Sequence, residues 1–147
     1  MNTTIKLLTL VSLLCAGPII SHAGPNQKAT PKGGRALDTT SPLAEFVVEK
    51  DRTVTINFYD VNMKPVAATT QTLTVIADAK SGKATLEFEK KGDSLVSKTK
   101  LPDGEGYNVV VQFKQTADAK PQNFRFKLLM HTCGECKRVE YACICGH

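Results

Sequence analysis

An all-β fold, a sandwich of about seven short antiparallel strands, is what the sequence predicts, and three observations predict it. Apolar and polar residues alternate with period two through most of residues 43–129. Turn-forming residues stand between the alternating runs, where hairpins and loops need them. Helical periodicity is sparse throughout that region. With 147 residues, 41% hydrophobic and 22% charged, the chain is large enough for one domain with its own core.

The elements follow in chain order. Residues 1–23 read as a secretory signal peptide. Lys6 supplies the positive start, residues 7–14 are mostly apolar, and Ser21-His22-Ala23 offers small residues for cleavage after Ala23. An alternative makes Cys15 the lipid-bearing residue of a lipoprotein, although Ser12-Leu13-Leu14 lacks the small side chain wanted just before it. No apolar run reaches the ~18–20 residues of a membrane-spanning helix, so no anchor is expected after cleavage. Residues 24–42 are rich in Pro, Gly, Thr and Lys and read as a flexible leader.

Seven strands are expected next. They lie at 44–49, at 53–60 with Val54, Ile56 and Phe58 on one face, and at 71–77 with Leu73, Val75 and Ala77 on one face. A fourth carries Leu86 and Phe88, and a fifth lies at 94–98. The sixth carries Tyr107, Val109, Val111 and Phe113, and the seventh Phe124, Phe126 and Leu128. Lys64-Pro65, Lys80-Ser81-Gly82, Lys91-Gly92-Asp93, Pro102-Asp103-Gly104 and Lys120-Pro121 punctuate them. Seven half-buried strands in this span argue an immunoglobulin-like β-sandwich. There is no internal cysteine pair, so hydrophobic burial has to hold the two sheets together.

Charge excludes some partners. The full chain carries a formal +5, yet residues 43–119 hold ten basic and eleven acidic side chains. No stripe of arginines and aromatics marks a nucleic-acid surface. Catalytic machinery is equally missing from the pattern. After cleavage only His131 and His147 remain as histidines, and no nucleophile elbow or phosphate-binding glycine loop occurs. A binding protein, not an enzyme, is the expectation.

Residues 130–147 form a Cys/His-rich irregular tail. Cys133 and Cys136 make a C-x2-C pair, Cys143 and Cys145 a C-x-C pair, and His131 and His147 flank them. Either spacing lets two sulfurs converge on one ion, and Gly134 eases the first turn. Such a soft ligand set suits Cu(I) or Zn(II) over Mg or Ca. Lys137 and Arg138 lie between the pairs, favouring thiolate and offsetting its charge. Met130, Met63 and Glu135 are secondary candidates, as thioether ligands and as a partner for a histidine. Two disulfides are the competing account in an oxidising compartment, with Cys133 or Cys136 joined to Cys143 or Cys145. Thioredoxin-like chemistry is disfavoured, because too little chain follows Cys136 to build the helix that motif requires.

The segment Tyr141-Ala-Cys143-Ile-Cys145-Gly-His147 resembles the short heavy-metal-binding segment, Tyr-x-Cys-Pro-Met-His in pattern, of periplasmic metal-efflux adaptors and copper-transporting ATPases. Tyr141 and Cys143 match it. Ile144 replaces the proline, Cys145 stands for the methionine, and the histidine arrives later as His147. The body is similar in strand pattern to small exported sandwiches of the FixH and YtkA-like kind, some associated with copper handling. These resemblances imply a periplasmic or secreted protein that sequesters or delivers copper or zinc, with an efflux or metal-transfer partner. The alternative is an envelope interaction module whose tail is stapled by disulfides.

Overall fold

In the computed structural model, residues 27–37, 39 and 41–145 are described. The signal peptide, Cys15 and His147 lie outside them. The described chain is all-β and antiparallel, apart from a single 3-10 turn near its end. Strands β1 (Arg35–Leu37), β2 (Leu43–Val48), β3 (Val54–Tyr59), β4 (Pro65–Val66) and β5 (Thr72–Ala79) are followed by β6 (Gly82–Lys91), β7 (Ser94–Ser97), β8 (Tyr107–Lys114) and β9 (Gln122–Leu128).

The strands hydrogen-bond in the order β1-β2-β3-β7-β6-β5-β8-β9, with β4 added to β3. Strand β6 is the hinge of this arrangement. Its first half pairs with β5, as in Val75 opposite Leu86, while its second half pairs with β7, as in Lys90 opposite Leu95. One sheet is thereby rolled into two facing layers, nearly a barrel. The layers β2-β3-β7-β6 and β6-β5-β8-β9 follow the A-B-E-D and C′-C-F-G orders of the immunoglobulin-like sandwich. Tyr107 opens β8 and donates its hydroxyl to the Pro102 carbonyl (2.9 Å), the tyrosine corner of such folds. Arg52 braces the same corner through the Leu101 carbonyl (3.3 Å) and the Tyr107 hydroxyl (2.9 Å).

Period-two alternation carries the inner faces as expected. Val54, Ile56, Phe58, Val75, Ala77, Leu86, Val109, Val111 and Phe113 are all buried in one cluster. Edge-on rings join the layers, with Phe46 of β2 against Phe126 of β9 at 5.2 Å between centroids. The turns also fall where expected. Lys80-Ser81 and Gly92-Asp93 are two-residue hairpin connections, and Gly92 takes a left-handed φ of 59°.

Two short strands are additional. In the segment read as a flexible leader, Arg35–Leu37 pairs with β2 and Leu37 is fully buried. Gly34 permits this, since a Cβ there would run into the Phe46 carbonyl and Val47 Cγ2. Beneath the approaching loop, Glu45 is fully buried. Its oxygens accept the amides of Lys32 (3.0 Å) and Gly34 (2.8 Å) and the Tyr59 hydroxyl (2.5 Å). The polar side chain on the outward face of β2 is thus roofed over by chain that precedes the expected body. The other addition, β4, follows the turn at Asp60, whose carboxylate accepts the amides of Asn62 (2.8 Å) and Lys64 (2.9 Å).

Candidate metal centre

The cysteine segment is built by a second, irregular hairpin that grows from the end of β9. Thr132 bridges Val139, the Cys133 amide donates to the Arg138 carbonyl (2.8 Å), and the Glu140 amide donates to the His131 carbonyl (2.8 Å). Cys133 to Cys136 occupy the bend. Lys137 completes it at φ 59°, donating its amide back to the Cys133 carbonyl (3.2 Å). The chain then makes the 3-10 turn Glu140–Ala142 and leaves it extended, with Cys143 at φ −60° and ψ 137°. In extended chain, residues i and i+2 share a face, which is why C-x-C places Cys143 and Cys145 together.

This turn is anchored in the sandwich. Tyr141 and Ala142 are buried members of the main core cluster. The Tyr141 ring stacks on Phe126 (6.2 Å) and meets Phe46 edge-on (6.1 Å). Its hydroxyl accepts the Val48 amide (3.0 Å), and its carbonyl accepts the Arg35 guanidinium (2.9 Å), which also lies over the Phe126 ring. Arg138 donates to the Thr30 carbonyl (3.3 Å). The tail therefore closes the open side of the sandwich, between β1–β2 and β9, and is packed on the body along this edge.

All four sulfurs converge. The Sγ atoms of Cys133, Cys136, Cys143 and Cys145 lie within 4.8 Å of one another. Cys133 is 3.4 Å from Cys143 and 4.0 Å from Cys145, and Cys136 is 3.7 Å from Cys143. A tetrahedral Zn(II) with Zn–S bonds of ~2.3 Å requires sulfur–sulfur edges of ~3.8 Å. The observed separations bracket that value. They are far from the ~2.0 Å of a disulfide, and no disulfide joins these four cysteines among the described residues.

Backbone amides define the electrostatics. The Ile144 and Arg138 amides donate to Cys136 and bring its thiol down to about 6. Cys143 and Cys145 move the other way, through burial and neighbouring sulfurs, and for Cys145 also the Glu135 carboxyl. Cys136 thus ionises before Cys143 and Cys145. Cys133 is buried, and the other three sulfur-bearing residues are half-exposed, so the centre lies at the molecular surface with one wall in the core. Lys137 hydrogen-bonds the Gly134 carbonyl, keeping one positive charge at the bend.

The remaining expected residues are placed differently. His131 is exposed and is not a member of the four-sulfur group, and it contributes its backbone carbonyl to the hairpin. Met130 packs against the core, Met63 sits exposed in the turn after β3, and Glu135 neighbours Cys145. Sequence reasoning overlooked the docking of Tyr141 and Ala142. The apolar residues Val139, Tyr141 and Ala142, close together in the tail, were the available signal.

No family model, curated protein or solved structure matches the chain.

Proposed function

We propose that this is an exported protein of the cell envelope that binds one soft transition-metal ion through Cys133, Cys136, Cys143 and Cys145, and sequesters or hands on that ion. The convergence of four sulfurs within 4.8 Å of one another is the observation that carries this reading. Zn(II) satisfies all four sulfurs at once and is the ion the geometry favours, whereas Cu(I) would use two or three. Half-exposure of three of the cysteines supports exchange, because an incoming ligand of a partner can reach them. Export and the periplasmic setting rest on the character of residues 1–23.

Metal analysis together with a free-thiol count, on protein isolated anaerobically from its own compartment, tests the proposal. One ion per chain and no disulfide is the expected result. Substitution by Co(II) should then yield the intense charge-transfer and visible bands of a tetrahedral cobalt thiolate. Two disulfides and no metal would replace the proposal with a disulfide-stapled tail on an interaction module.

A further inference from the structure

Away from the cysteines, the outer face of β6-β5-β8-β9 is concave and holds a cavity of about 490 Å³. Strand register sets out its floor and rim. Ile76 stands opposite Val110, and Val110 opposite Arg125. In the adjacent row Lys83 faces Asp78, and Lys127 lies at the far side on β9. Ile76 and Val110 are half-buried, which leaves an apolar strip at the centre of a sheet face whose other positions are polar.

The rim is electrostatically unbalanced. Three cations, Lys83, Arg125 and Lys127, share it with one acid, Asp78. Although Lys83 and Asp78 are cross-strand partners, neither they nor Arg125 and Lys127 form a side-chain hydrogen bond or ion pair among the described residues. The lysines that do have acidic partners lie elsewhere, as in Lys98 with Glu87 (3.1 Å) and Lys91 with Glu89 (3.3 Å). Unpaired like charge around a half-buried apolar floor disfavours the free state and is relieved by a ligand of opposite sign.

We propose that this cup docks an acidic polypeptide segment of a partner protein, with carboxylates on Lys83, Arg125 and Lys127 and an apolar side chain on the Ile76–Val110 strip. The cationic rim and the apolar strip at its centre argue for this occupant, and shape argues against wide or planar polyanions. A planar bilayer cannot reach a concave floor, and a duplex is too wide for a cavity that holds only a few side chains. The proposal is independent of the cysteine centre.

The test is fluorescence anisotropy of the full chain with a labelled acidic peptide that alternates glutamate with leucine and valine, at low ionic strength. Saturable binding is expected. Arg125→Gln/Lys127→Gln should weaken it about tenfold or more, and Ile76→Ser should weaken it too. Lys90→Gln/Lys91→Gln, an equal charge change on β6 outside the cup, should leave it unchanged. No saturable binding, or equal weakening by both double variants, would overturn the proposal. So would anionic vesicles or a single-stranded oligonucleotide binding with the same dependence on Arg125 and Lys127.

Discussion

Replacing Tyr141 asks whether the cysteine segment is part of the fold or an appendage. The ring is 4% exposed and lies between Phe46 and Phe126. Tyr141→Phe keeps that packing and deprives the Val48 amide of its acceptor, a loss of about 1–2 kcal/mol for a partly buried donor. Tyr141→Ala also removes the ring from a closed cluster, at a cost of about 3–5 kcal/mol. Set against a total stability of ~5–15 kcal/mol, that is a large share. Urea denaturation of the reduced, metal-free protein should give a small drop in midpoint for the first variant and a large one for the second, with unchanged slope. Because Cys143 follows two residues later, Tyr141→Ala should also weaken Zn(II) binding. If Tyr141→Ala melts like the parent protein, the core does not extend into residues 130–147. The sandwich would then be self-sufficient at residue 129, as the sequence pattern alone implies.

Three other outcomes are expected. Cys133→Ser/Cys136→Ser should weaken metal binding about a hundredfold or more, whereas His131→Ala should leave it unchanged in competition with a chelator. In metal-free reduced protein, ultraviolet absorbance should reveal one thiolate forming near pH 6, and Cys136→Ser should abolish that step. With its folded value below the unfolded one, Cys136 adds stability that is complete above the unfolded thiol range and is lost as pH falls through about 6. Metal retention should fall in the same direction, since protons compete for the sulfurs. Gly34→Ala should destabilise the fold by about 1–3 kcal/mol in urea melts, because its methyl group has to displace β1 from the Phe46 carbonyl.

Much of the body was legible because its signals are local. Val54, Ile56 and Phe58 alternate within one strand, and so do Val109, Val111 and Phe113, so burial on one face follows from the two-residue period alone. Hairpin turns at Lys80-Ser81 and Gly92-Asp93 were equally readable from their residue types. Strand β1 was hidden: three residues are too few to exhibit a period, and Gly34 reads as a loop residue until the Phe46 carbonyl is seen beside it. Glu45 was hidden for a related reason. Its position in β2 marks it as outward-facing, and only the returning Lys32–Gly34 backbone turns that face into an interior.

At the cysteine centre, the sequence by itself determined which soft donor atoms are present. Four thiols at C-x2-C and C-x-C spacing bring two sulfurs together within each pair, whatever the rest of the chain does. Only the tertiary structure decided that the two pairs meet, since that depends on the Thr132–Val139 bridge and on Tyr141 docking against Phe46 and Phe126. It also decided that His131 stands apart from the sulfurs. Spacing constrains neighbours through a few backbone dihedrals. The meeting of distant segments is set by burial of side chains whose partners lie as many as 95 positions away, as with Phe46 and Tyr141, and no local pattern encodes that choice.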